Sequence, residues 1–140
     1  MKLIILSLLI GLTVSVLAQE VSDNFKGEYC IQSVHKYRGG LTSEKEAKAF
    51  VGSKVLISEK LFISLAQEIT NPIYKLSKER VVTEEGEVRE LDSIFHGLFT
   101  DRKAIVKINI FENSEEKYPY TSLELFYDGR MFELYDGYVF

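Results

Sequence analysis

"SLELFYDGRMFELY", residues 122–135, decides how this chain is read. Two runs of alternating apolar residues flank Asp128-Gly129, a dipeptide that favours a tight hairpin turn. A two-residue loop there pairs Tyr127 with Arg130, Leu125 with Phe132 and Leu123 with Leu134. Inward residues then meet inward residues, as a consistent register requires. The stretch therefore predicts an antiparallel hairpin with Leu125 and Phe132 on its buried face.

The pattern continues on both sides. Asp136-Gly137 predicts a second bend before Tyr138-Val139-Phe140. Upstream, Ala104, Val106, Ile108 and Ile110 alternate with Lys107 and Asn109, the period of a strand. Ile73 to Val82 reads as another strand, opened by Asn71-Pro72, with Tyr74 and Leu76 inward and Lys75 outward. Lys54 to Ile57 and Leu61 to Ala66 form a pair across the short Ser58-Glu59-Lys60 connection. The first alternating run spans Phe25 to Tyr37. Phe25, Gly27, Tyr29, Ile31, Ser33, His35 and Tyr37 share one face, and Cys30 lies on the other.

Two segments change period. In "LTSEKEAKAFVG" Ser43 and Glu46 have capping-box spacing, Ala47, Phe50 and Val51 form a stripe, and Gly52 ends it. Leu91, Ile94, Phe95 and Leu98 predict a second short helix. "TEEGE" between them and the preceding strand is an acidic turn around Gly86. The expected fold is mainly β: an antiparallel barrel of about seven or eight short strands with two short helices, its terminal segment closing on the first strand. The alternative is an α+β roll, one curved antiparallel sheet wrapped around a helix.

Bulk properties set the context. Residues 1–18 hold one lysine, a short apolar run and small residues ending at Ala18. That is the pattern of a secretory signal peptide, and the run is too short for a stable membrane anchor. Residues 19–140 then form a single secreted or periplasmic domain. The whole chain carries a formal charge of −4, and loss of Lys2 makes the remainder more acidic. This argues against nucleic acid and anionic membranes as partners. Cys30 is the only cysteine, so no internal disulfide forms and the fold must hold by burial.

No catalytic or metal chemistry is legible. His35 and His96 are the only histidines, and no metal-binding spacing accompanies them. Cys30 and His35, five apart on a strand, point to opposite faces. The carboxylates Glu84, Glu85, Glu87, Glu115 and Glu116 sit in turns. No cofactor is implied. The chain holds eight Tyr and nine Phe, residues that suit both a packed core and a ligand cavity.

Gly27 and Tyr29 on the first strand resemble the G-x-W start of lipocalins and the wider calycin barrels. "FVGSKVLIS" (50–58), "NPIYKL" (71–76) and "LFYDGRMFELYDG" (125–137) look similar to small exported bacterial proteins described as lipocalin-like. Lipocalins place Trp where this chain has Tyr29, and they lack a capped helix after the first strand. "FTDR" (99–102) stands in for their T-D-Y motif only loosely. The resemblance implies an exported antiparallel barrel with a hydrophobic cavity.

The expected function is a non-enzymatic binding protein holding a small hydrophobic or amphipathic ligand. Tyr29, Ile31, His35, Leu125 and Phe132 are the expected lining. The alternative is an inhibitor that meets a basic partner, such as a cell-wall hydrolase, through the acidic loops Glu84–Glu87 and Glu112–Glu116.

Overall fold

A computed structural model describes residues 23–81 and 92–140. The signal segment, the acidic turn around Gly86 and Leu91 lie outside the described residues. The strands are β1 (Gly27–Cys30), β2 (His35–Lys36), β3 (Lys54–Ile57), β4 (Leu61–Ser64), β5 (Gln67–Thr70) and β6 (Ile73–Arg80), followed by β7 (Ala104–Phe111), β8 (Thr121–Leu125), β9 (Met131–Tyr135) and β10 (Tyr138–Val139). They form two antiparallel sheets, ordered β1-β3-β4-β5 and β2-β10-β9-β8-β7-β6. The expected mainly β, antiparallel architecture is present, but the hydrogen bonding does not close into one barrel.

The chain changes sheet three times, from β1 to β2, back from β2 to β3 and from β5 to β6, and the first and last of these are sharp corners that interrupt the strands. The first extended run breaks at residues 31–34, so β1 pairs with β3 while β2 pairs with β10. Between β5 and β6, Asn71 adopts φ 51° and Pro72 offers no N–H. Both corners interrupt the ladder, and the sheets pack face to face. Ile57, Phe62 and Ile69 from one sheet meet Ile108, Ile110 and Leu123 from the other. Each such side chain contributes roughly 1.5–3 kcal/mol by leaving water.

The opening hairpin forms, with a different register. Phe126 N–H donates to Arg130 O at 2.9 Å and Gly129 N–H to Phe126 O at 3.1 Å. The loop is therefore three residues long, Tyr127 to Gly129, with only Gly129 at positive φ (85°). This is the turn-plus-bulge alternative to the two-residue loop. Leu123 pairs with Glu133, Glu124 with Phe132 and Leu125 with Met131. The two-residue geometry occurs instead at Asp136-Gly137, where both φ are positive (43° and 88°).

Strand β5 was not legible. A two-residue turn, Leu65-Ala66, joins it to β4, and both residues have positive φ (47° and 62°). Neither residue type favours that conformation. Ala66→Gly is expected to raise stability by about 0.5–1 kcal/mol, as relief of the left-handed strain exceeds the added unfolded-chain entropy. Urea titration of the pair of proteins measures it.

Helix α1 (Glu44–Ala49) carries the expected capping box: Ser43 N–H donates to Glu46 Oε2 at 2.8 Å, and Glu46 N–H returns to Ser43 Oγ at 3.3 Å. Ala47 is buried and Phe50 half-buried, but Val51 is exposed because the helix has already ended. The second helix is reduced, among the described residues, to a 3₁₀ turn at Ser93–His96, closed by Gly97 at φ 74°. No helix among the described residues is long and apolar enough to cross a membrane.

Candidate functional site

A cavity of about 310 Å³ lies between the two sheets. Its apolar walls come from Tyr29 and Ile31 near the first corner, Val55 on β3, Leu123 on β8, Met131 on β9 and Phe140. Exposed Gln32 and Ser33 border it as well. Its buried polar side chains are Glu133 on β9 and Ser64 on β4, at 4 % and 1 % exposure, and the exposed Arg130 lines it as well.

The register places Glu133 there. Glu133 shares a face with Leu123, its direct partner, and Leu123 belongs to the core. Ser64 Oγ donates to Glu133 Oε2, and Thr121 Oγ1 donates to Glu133 Oε1 at 2.6 Å. Burial pushes the Glu133 carboxyl above the usual carboxylate range, against the pull of these two hydroxyls. A raised carboxyl pKa means the folded state holds its proton more tightly than the unfolded state. Below about pH 4 both states are protonated and this group costs nothing; as pH rises through the folded pKa, stability falls. Glu133→Gln is expected to remove that loss. The stability difference between variant and wild type, followed from pH 3 to pH 8 by denaturant titration, should then turn toward the variant as pH rises. A flat difference curve rejects the assignment.

The five expected lining residues separate. Tyr29 and Ile31 border the cavity, with the Tyr29 hydroxyl donating to Phe25 O at 2.8 Å. Phe132 borders it too, but its ring packs on the opposite face against Phe99 (4.3 Å) and Phe126 (4.5 Å). Leu125 packs against the core without reaching the cavity. His35 is exposed on the far face of its sheet. The reason lies in the corner at 31–34. Lys36 pairs with Tyr138, which faces inward with Phe140, so alternation has slipped by one residue between Ile31 and Lys36. Cys30 is exposed, as its parity predicted.

Behind β8 and β9 lies a second buried polar set that sequence reasoning missed. Glu124 faces away from the core, yet residues 92–102 cover it. Its carboxylate accepts from Ser93 N–H (2.8 Å), Ser93 Oγ (2.7 Å) and Arg102 Nη2 (2.7 Å). Lys107, also read as outward, is buried in an ion pair with Asp92. The Arg102 guanidinium stacks over the Phe126 ring at 4.7 Å. This set braces β7 and β8 from outside. Among the described residues no group of three His, Cys, Asp or Glu is placed to hold a metal ion. No protein-family model, curated protein or solved structure matches this chain.

Proposed function

We propose that this protein is an exported, non-enzymatic binding protein that holds a small hydrophobic or amphipathic ligand between its sheets. The cavity carries this reading: about 310 Å³ of mainly apolar space with a few buried polar groups, the composition typical of small-molecule sites and near their lower size limit. The fold is read as an interrupted lipocalin-like barrel. In support, the first extended run borders β3 at one end and β10 at the other.

Native mass spectrometry of the protein recovered from its exported form tests the proposal. The expected result is an adduct that is lost on denaturation and absent in Val55→Phe, which fills the space. A bare mass under gentle conditions, with no uptake of an environment-sensitive apolar dye, rejects it.

The partner-binding alternative draws support from the loop 112–120. Glu116 braces this loop by accepting from Glu112 N–H (3.1 Å) and Asn113 Nδ2 (2.8 Å). Tyr118 and Tyr120 stand exposed beside it, an aromatic and acidic surface suited to a basic protein. Immobilised protein that retains no lysozyme at low salt counts against that alternative.

A further inference from the structure

We propose, resting on the cavity reading above, that the ligand carries a cationic amine head that docks on Glu133, with its hydrocarbon part against Val55, Leu123, Met131 and Phe140. The argument is one of donors and acceptors. A carboxylate only accepts hydrogen bonds, and each hydroxyl owns one proton. Ser64 and Thr121 both spend that proton on Glu133. The remaining capacity at this end of the cavity is therefore lone pairs, backed by a negative charge. A ligand head that brings several donors and a positive charge satisfies this surplus. At the Glu133 end, a carboxylate or phosphate head meets like charge, and both hydroxyl protons are already spent. An alcohol brings one donor and no charge.

The other charges around the cavity leave Glu133 available. Arg130 is the basic residue among those lining it, but its Nε is held by Asp128 Oδ2 at 2.7 Å and its guanidinium lies 5.5 Å from the Phe126 ring centre. Lys36 on β2 is exposed and does not line the cavity; its Nζ sits 5.9 Å over the Tyr138 ring. Tyr29 and Cys30 are the other titratable lining groups. Burial disfavours an ionised Glu133 without a counterion, and an ammonium supplies one. The Tyr29 and Phe140 rings add faces that attract a cation.

The test uses calorimetric or NMR titration with butyl to octyl primary amines, and the alcohols and carboxylates of equal chain length. The amines should bind about tenfold or more tighter than the alcohols, and the carboxylates weakest. Glu133→Gln should bring amine binding down to the alcohol level. Because that variant retains partners for Ser64 and Thr121, it should fold; its melting curve checks this. Independently of any variant, octylammonium should shift the Glu133 side-chain carboxyl ¹³C resonance in the wild type. Alcohols equal to amines, carboxylates tightest, an amine preference that survives Glu133→Gln, or an unmoved resonance overturns the head-group assignment while leaving the cavity reading in place. Binding of none of the three series overturns both.

Discussion

Glu124→Ala is expected to cost about 3–5 kcal/mol of stability, because it removes one partner of a buried ion pair and strands the other. The side chains of Arg102 and Glu124 are only 9 % and 4 % exposed. Without Glu124 the guanidinium keeps Ser93 Oγ and Phe99 O as acceptors but no opposite charge at hydrogen-bonding distance. The Ser93 backbone N–H also loses its acceptor. The double variant Glu124→Leu with Arg102→Met should recover most of the loss, since removing both charges removes their desolvation cost as well. Thermal or urea unfolding of the two single variants and the double closes the cycle. A single variant within about 1 kcal/mol of wild type, the range of an exposed surface pair, rejects the picture of a buried brace.

The second large effect concerns two neighbouring glycines. A Cβ on Gly40 would sit 2.0 Å from the backbone oxygen of Asp136, while one on Gly39 meets nothing within 4 Å. Gly40→Ala must push the Arg38–Leu41 segment off the β9–β10 turn and is expected to cost about 3 kcal/mol or more. Gly39→Ala should be nearly neutral. The contact has a spectroscopic reporter. Hydrogen bonds from the Thr42 side chain, then from the Thr42 and Leu41 N–H groups, hold the Asp136 carboxyl below the usual range. In Gly40→Ala those donors move away, so the Asp136 pKa measured by NMR should rise to an ordinary aspartate value. Equal melting temperatures for the two alanine variants would discard the close-approach argument.

Much of the fold was legible because it rests on local rules. The Ser43–Glu46 cap, the inward placement of Ile108 and Ile110 on β7 and that of Tyr74 and Leu76 on β6 follow from spacing alone, and each appears as read; β7 as a whole is covered on both faces, with Ile105 and Lys107 buried too. The site was hidden by two single-residue slips. A two-residue loop at Asp128-Gly129 turns Phe132 inward and Glu133 outward, whereas the three-residue loop reverses them. Period-2 structure amplifies such an error into the wrong face for the whole strand. The slip at residues 31–34 did the same to His35. A glutamate flanked by Phe132 and Leu134 was the available clue, since it must face inward in one of the two registers. Nothing local marked Leu65-Ala66 as a turn, because its strain is borne by Leu65 burial and the β4–β5 pairing rather than by turn-forming residues. Glu124 and Lys107 looked solvated because covering by residues 92–102 is a tertiary event.

The interrupted corner at residues 31–34 also sets a clock. Backbone pairing ends at Ile31, bonded to Gly52 and Ser53, and resumes at His35, and the exposed Gln32 and Ser33 lie at the rim of the cavity. Under the proposed binding function, a ligand would enter and leave by motion of this short segment, on the nanosecond-to-microsecond scale of such loops, while β7 and β8 stay paired. Residence time would then be governed by contacts inside the cavity rather than by sheet opening. Amide exchange at Gln32 and Ser33 should run orders of magnitude ahead of that at Ile108, whose protons wait for global unfolding.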